Sequence, residues 1–135
     1  MKKLAHMALV VDDYDRAIDY YTRVLGFDLI HDEVLSESKR WVLVSPGAGS
    51  CQLLLAKAAS EVQQQAIGNQ SGGRVFLFLH TDTFDEDYAR LVSHQVEIVR
   101  PPEEMPYGKV LVFKDCYGNL WDLIGKPRVS TLEKN

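Results

Sequence analysis

The spacing of apolar residues changes several times along the first half of the chain, and each change marks a new element. Residues 4–11 form a short apolar run bounded by acidic residues, which predicts a buried strand. Between residues 14 and 25 the apolar positions recur at helical spacing, with Asp13 able to cap the helix and Gly26 suited to its end. Strands are then predicted at 27–34, 39–45 and 51–56, so this half has the order β-α-β-β-β.

The second half of the chain repeats the same order of elements. A strand is predicted at 74–81, and a helix begins near Asp82 and extends through Val92. Three more strands are predicted at 96–100, 109–114 and 120–125. The Pro-Pro pair at 101–102 is expected to end the first of these three, because proline interrupts a strand. The polar tail at 127–135 is expected to fray.

This recurrence predicts an internal repeat within one domain, residues 1–135. Asp12 aligns with Asp82 at an offset of 70 residues, and Lys57 aligns with Lys126 at an offset of 69. Four strands and one helix in the same order in both halves favour a repeat over coincidence. The predicted modules are residues 4–57 and 74–126, joined by a linker at 58–73 that can include a short helix.

Composition and charge exclude several classes of protein. Hydrophobic residues make up 46% and charged residues 25% of the 135-residue chain, which is typical of a soluble globular domain. The net charge is −4 and the signs are interspersed, so no nucleic-acid partner is expected. The apolar runs are far shorter than the roughly 20 residues of a membrane span, so no membrane partner is expected. Without an export signal, we expect a cytoplasmic protein with Cys51 and Cys116 as free thiols.

Two motifs carry a resemblance to a known family. The run HMALVVDDYDRAIDYYTRVLGF at 6–27 resembles the opening of glyoxalase and bleomycin-resistance type proteins, in which a metal-binding His precedes an acid-rich turn and a helix ending in LGF. The run DCYGNLWDLIGKP at 115–127 resembles the closing strand of that family, where a Gly-Asn turn precedes a carboxylate ligand, usually Glu. Residues 4–127 are thus similar to the vicinal-oxygen-chelate superfamily, whose members include isomerases, dioxygenases and non-catalytic drug binders.

The resemblance implies a fold and a type of site. The fold would be α+β, with two tandem βαβββ modules forming a curved, mostly antiparallel eight-stranded sheet around a cavity. A divalent metal (Zn, Ni, Mn or Fe) would be bound by the first and last strands of each module, and would hold a small oxygenated substrate. Members of this length commonly dimerise, so the resemblance also implies a homodimer.

The expected metal ligands are only partly present. His6 matches the first ligand position, and Asp122 matches the last with a side chain one methylene shorter than Glu. Gln52 best matches the carboxylate position of the first module, with a register uncertain by one residue. Phe76 takes the place of His6 in the second module and cannot bind a metal. His6 can also be read as a cavity histidine, Asp122 as a solvent-facing residue and Gln52 as a polar residue at a strand start.

Other residues are candidates for catalysis or ligand binding. His80 lies about 13 Å beyond Phe76 at roughly 3.3 Å per residue, too far to replace the missing ligand but able to act as an acid or base. Glu104 is a candidate base in the segment PPEEMPYG, which could cover the cavity as a lid; its alternative is a solvated loop charge. The candidate ligand-contacting aromatic residues are Trp41, Phe76, Phe78 and Tyr107, although aromatic residues in strands more often pack in a core.

Two hypotheses from different classes follow. The first is a glyoxalase-like metal-dependent lyase or isomerase, with the ion bound by His6, Gln52 and Asp122; an extradiol ring-cleaving dioxygenase is a variant that normally needs a second His. The second is a non-catalytic binder of a small drug- or antibiotic-type molecule. Phe76 favours the binder, whereas the retention of His6 together with Asp122 favours the enzyme, which is the preferred prediction.

Overall fold

The computed structural model describes residues 1–126, so the tail predicted to fray lies outside the described residues. The chain divides into two compact units, unit 1 at Met1–Gly68 and unit 2 beginning at Asn69. Unit 1 contains β1 (His6–Val11), α1 (Tyr14–Asp19) with a following π-helical turn (Tyr20–Val24), β2 (Asp28–Val34), β3 (Arg40–Ser45), β4 (Gln52–Lys57) and α2 (Glu61–Ala66). Unit 2 contains β5 (Val75–Thr81), α3 (Phe84–Ser93), β6 (Ile98–Met105), β7 (Gly108–Lys114) and β8 (Leu120–Gly125).

Each unit builds one four-stranded mixed sheet. The strand order is β1-β4-β3-β2 in unit 1 and β5-β8-β7-β6 in unit 2. In both sheets the first and last strands of the unit are parallel neighbours, and the other pairs are antiparallel. The predicted α+β fold of two tandem βαβββ modules is therefore confirmed.

The first helix of unit 1 covers one face of its sheet. Asp13 caps it as predicted, accepting a hydrogen bond from the backbone N–H of Arg16 at 2.8 Å. The helix ends in a π-helical turn rather than in regular α-helix, and the Thr22 hydroxyl there donates to the Ile18 carbonyl at 2.7 Å. The fully buried side chains of this core include Leu9, Val11, Ala17, Tyr21, Val42, Val44 and Leu55.

The core of unit 2 lies between α3 and its sheet. Phe84 and Leu91 of α3 are buried, as are Leu111 and Leu123. Phe113 and Trp121 stack with ring centroids 5.9 Å apart, and Trp121 is only 3% exposed. Because neighbouring residues of a strand point to opposite faces, this burial places Asp122 on the face that α3 leaves uncovered.

Strand β6 corrects the prediction for the proline-rich segment. The sequence predicts that the strand ends before Pro101 and Pro102, with the following residues forming a lid, but the strand extends to Met105 and forms a hairpin with β7. The pairing register shifts between Arg100 and Glu103, so the two prolines lie in an irregularity of the ladder. Since β6 is an edge strand, the N–H groups that proline lacks are not required by a second neighbour.

No helix within residues 1–126 is long and apolar enough to span a membrane.

Candidate functional site

In each unit, the sheet face opposite the helix is called the open face. On the open face of unit 1, His6 and Gln52 are direct register partners in the parallel pair β1–β4. The Trp41 ring meets the His6 imidazole edge-to-face, with centroids 6.1 Å apart. Three of the sequence-predicted site residues, His6, Gln52 and Trp41, are therefore neighbours on this face. They provide an imidazole, a side-chain amide and an indole ring.

In unit 2, four residues form a row across the four strands. Phe78 of β5 pairs with Asp122 of β8, Asp122 pairs with Val112 of β7, and Val112 pairs with Arg100 of β6. Residues paired across a regular ladder point to the same face, so Phe78, Asp122 and Val112 share the open face. Arg100 lies between two register shifts, and the effect of its charge on the Asp122 pKa places it near that carboxylate. We call these four residues the cross-strand row. Phe78 is 63% exposed, although a ring of its size is usually buried.

Asp122 and Arg100 interact through charge without direct contact. Burial raises the pKa of the Asp122 carboxyl above its ordinary value, and the positive charge of Arg100 partly opposes this rise. Within residues 1–126, no group donates a hydrogen bond to the Asp122 side chain, and Arg100 forms no direct ion pair. Among the described residues, the partly desolvated Asp122 carboxylate thus keeps unused acceptor capacity, and the Arg100 guanidinium keeps unused donors.

Phe76 lies in a β-bulge, which changes how the two units correspond. Val75 pairs with Leu120 and Leu77 with Trp121, so Phe76 is the extra residue of β5. Counted back from the ends of the paired strands, Asp122 corresponds to Leu54, and Phe78 corresponds to Ala8. The sequence predicts Gln52 as the counterpart of Asp122 in unit 1. In the structure Gln52 lies two residues before Leu54 in β4, on the same face of the sheet.

The remaining predicted residues lie elsewhere in unit 2. His80 pairs with Ile124 and is exposed on the open face, two residues beyond Phe78. Glu104 pairs with Lys109, whose ammonium group lies over the Phe84 ring of α3, so the register puts Glu104 on the helix side of the sheet. Tyr107 is exposed in the turn between β6 and β7. Glu104 and Tyr107 are therefore not brought beside Asp122.

A divalent metal site requires several donor groups that converge on one point. Within either unit, no three His, Cys, Asp or Glu side chains of residues 1–126 converge in this way. Unit 1 offers one imidazole and one uncharged amide, and unit 2 offers the Asp122 carboxylate, whose pKa is lowered by the charge of the Arg100 guanidinium and raised by burial. The residues of neither unit fit a complete metal site, so the ligand set His6, Gln52 and Asp122 stays a prediction.

Arg100 is a site residue that the sequence does not single out, because it is predicted only as the last residue of a strand. Alternation along the strand does not identify its partner either, since the register of β6 against β7 shifts on both sides of Arg100. A charged residue between apolar strand positions was the available signal.

Known proteins similar to this chain cover nearly its whole length. An uncharacterized protein of Shewanella frigidimarina (strain NCIMB 400) is 55% identical over 125 residues, which covers 91% of this chain and 93% of the relative. A solved superfamily member from Sphaerobacter thermophilus DSM 20745 is 29% identical with a TM-score of 0.76, covering 93% of this chain and 98% of that chain. TnmS3, an antibiotic binding protein from Streptomyces sp. CB03234, is 28% identical with a TM-score of 0.73. The match covers 93% of this chain and 97% of the TnmS3 chain.

A family profile gives the assignment. The profile of the Glyoxalase family, described as the Glyoxalase/Bleomycin resistance protein/Dioxygenase superfamily, matches residues 3–123. This match includes both motifs that carried the resemblance, apart from the last residues of the second. The fold of each unit agrees with it. The chain therefore belongs to the glyoxalase/bleomycin resistance protein/dioxygenase superfamily.

Proposed function

We propose that this protein is a non-catalytic binder that holds a small planar molecule on the open face of unit 2. The observation that carries the proposal is the exposure of the Phe78 ring next to Asp122. Fully burying a phenylalanine side chain contributes about 1.5–3 kcal/mol. A planar ligand stacked on Phe78 would gain much of this free energy, and the neighbouring polar groups would orient it.

Two further observations support a binder rather than a metal-dependent enzyme. The position of the second module that corresponds by count to His6 holds Phe76, which supplies apolar surface and no ligand atom. Arg100 provides a fixed positive charge near Asp122, where a metal would otherwise have to balance the carboxylate. The similarity to TnmS3, an antibiotic binding protein, is in line with this function.

A metal-dependent lyase or isomerase is the second candidate function. The observation that favours it is the direct pairing of His6 with Gln52, because imidazole nitrogen and amide oxygen are both ligand atoms. Asp122 would be the third ligand. An extradiol dioxygenase is a variant of the same hypothesis and lacks the second His.

Binding and metal content together test the proposal. We expect naphthalene to perturb the NMR amide signals of β5 and β8 in the wild-type protein, and we expect Phe78→Ala to weaken its binding about tenfold. Val92→Ala, which removes an exposed apolar side chain from α3, is the matched control and should bind like wild type.

A defined metal-content result would contradict the proposed binder. Near-stoichiometric divalent metal in protein purified without an affinity tag, lost in both His6→Ala and Asp122→Ala, would replace the binder with the metal-dependent enzyme. The homodimer also stays a prediction, and sedimentation equilibrium of the full chain tests it.

A further inference from the structure

We propose that Arg100 and Asp122 hold the polar edge of the ligand between them, and that this edge carries both a hydrogen-bond acceptor and a donor. The ligand class is then a planar aromatic compound with a neutral donor–acceptor group, such as an aromatic carboxamide. This inference rests on the proposed function of the open face of unit 2. It adds Arg100 as a residue that determines specificity.

The spacing of the cross-strand row supports this arrangement. Phe78 and Asp122 are on adjacent strands, about 4.8 Å apart, and Arg100 is two strand spacings beyond Asp122, about 10 Å away. Val112 lies between the two charged residues in the row and is buried at 6% exposed, so the polar contacts available at this point come from Asp122 and Arg100. A ring stacked on Phe78 therefore has its edge directed toward Asp122, Val112 and Arg100 in that order.

The charges of the row decide which polar group fits. Elsewhere in the protein an arginine closes directly onto a carboxylate, as Arg40 does onto Asp32 at 2.7 Å. Arg100 and Asp122 attract each other yet make no direct ion pair, so both keep free hydrogen-bonding capacity among the described residues. The guanidinium can only donate and an ionised carboxylate can only accept, so a group inserted between them must offer one acceptor and one donor.

Singly charged ligands satisfy only half of this arrangement. A ligand carboxylate would pair with Arg100 but repel Asp122, and a ligand ammonium would pair with Asp122 but repel Arg100. A carboxamide has a carbonyl oxygen for the guanidinium and an N–H for the carboxylate. Both of its hydrogen bonds involve a charged protein group, which makes them stronger than bonds between neutral partners.

The test compares four probes that share one ring system. Dissociation constants of naphthalene, 2-naphthamide, 2-naphthoate and 2-naphthylmethylammonium are measured by NMR titration of the full chain at pH 7.5. We expect 2-naphthamide to bind about tenfold more tightly than each of the other three. Arg100→Met should remove most of this advantage, measured within the variant as the ratio of the 2-naphthamide and naphthalene dissociation constants. Arg90→Met, which removes a positive charge from the exposed side of α3, is the control and should retain the advantage.

The outcomes separate this inference from the proposed function. If naphthalene binds in a Phe78-dependent way but 2-naphthamide has no advantage, the two-residue clamp is wrong and the binder stands. Tighter binding of 2-naphthoate or of the ammonium probe also overturns the clamp, because it identifies a site for one charge. If no probe perturbs β5 or β8, the proposed function itself fails. The ranking of the probes on the wild-type protein separates these outcomes even if a variant does not fold.

Discussion

The indole N–H of Trp121 donates a hydrogen bond to the Asp115 carboxylate at 3.1 Å, across the turn between β7 and β8. The same carboxylate accepts from the Asn119 side-chain amide at 2.9 Å and from the backbone N–H groups of Asn119 and Tyr117 at 3.0 and 2.9 Å. Asp115 is only 5% exposed, so these donors replace the water it loses. The turn thereby fixes the start of β8, the strand that carries Asp122.

Replacing Asp115 by Ala should destabilise the protein by about 3 kcal/mol, because several buried donors lose their acceptor at once. Urea unfolding followed by circular dichroism measures the change. Asp82→Ala, which removes an exposed ion pair with Lys126, is the comparison and should have little effect. Equal stability of Asp115→Ala and wild type would show that the turn does not depend on this carboxylate.

Gly108→Ala should be among the most damaging single substitutions in unit 2. Gly108 has φ of +140°, and a Cβ atom there would lie 1.9 Å from the Gly125 carbonyl oxygen. Both the backbone conformation and the contact exclude a side chain, so we expect a loss of at least about 3 kcal/mol. Thermal unfolding provides the measurement. Gly47→Ala adds a Cβ with no atom within 4 Å and should leave the midpoint nearly unchanged.

Arg40 links three elements of unit 1 through one guanidinium group. It donates two hydrogen bonds to Asp32, at 3.1 and 2.7 Å, and one to Asp15 at 2.9 Å, and it lies 5.2 Å from the Tyr14 ring centroid. The hydrogen bonds to Asp32 and then to Asp15 raise the pKa of Arg40 above its usual range. The planar fork, and not the positive charge alone, makes this geometry possible.

Arg40→Lys should therefore destabilise the protein although it keeps the charge, by about 1 kcal/mol. Chemical denaturation at low and high salt is the measurement. Arg23→Lys, at an exposed helical ion pair with Asp19, is the control and should behave like wild type. A result in which Arg40→Lys also unfolds like wild type would mean that charge suffices at this position.

Asp122→Asn should stabilise the protein at neutral pH and lose that effect in acid. Burial raises the folded-state pKa of Asp122, so its ionised form is less favourable in the folded than in the unfolded chain. This penalty is present above the raised pKa and disappears as pH falls below the unfolded value, near 4. Thermal midpoints of both proteins between pH 3 and 8 test the sign; a gap that widens in acid would contradict it.

Much of the fold could be predicted from residue pattern. The two helices after β1 and β5 follow apolar residues at helical spacing, and the strands around them follow short apolar runs between turn signals. Proline at 101 and 102 misled the prediction for β6, because an edge strand with shifted register tolerates residues that a central strand does not. Whether a strand lies at the edge of a sheet is decided by its pairing partners, which are distant in sequence and so are not visible in the local pattern.

The candidate site could be predicted only where local motifs defined it. His6 and Asp122 stand out because each lies in a recognisable motif, and their positions on the open faces follow from alternation. Which residue of β6 stands level with Asp122, here Arg100, depends on the registers of β6 against β7 and of β7 against β8. The correspondence of Asp122 with Leu54 depends on one extra residue in β5. Neither register nor bulge has a signature in a single sequence.

Because of the bulge at Phe76, β5 has one residue that has no counterpart in β1. This extra residue affects how the two halves of the chain are aligned with each other and with relatives. From Phe78 to the end of β5 the halves match without a gap, but before Phe76 the match is displaced by one residue. An alignment that ignores this displacement would transfer a ligand residue to the wrong neighbour. A relative with a single deletion here would regain regular alternation at the start of β5 while keeping the Phe78 end intact. The bulge is thus a point where one inserted codon changes which side chains at the start of β5 lie on the open face.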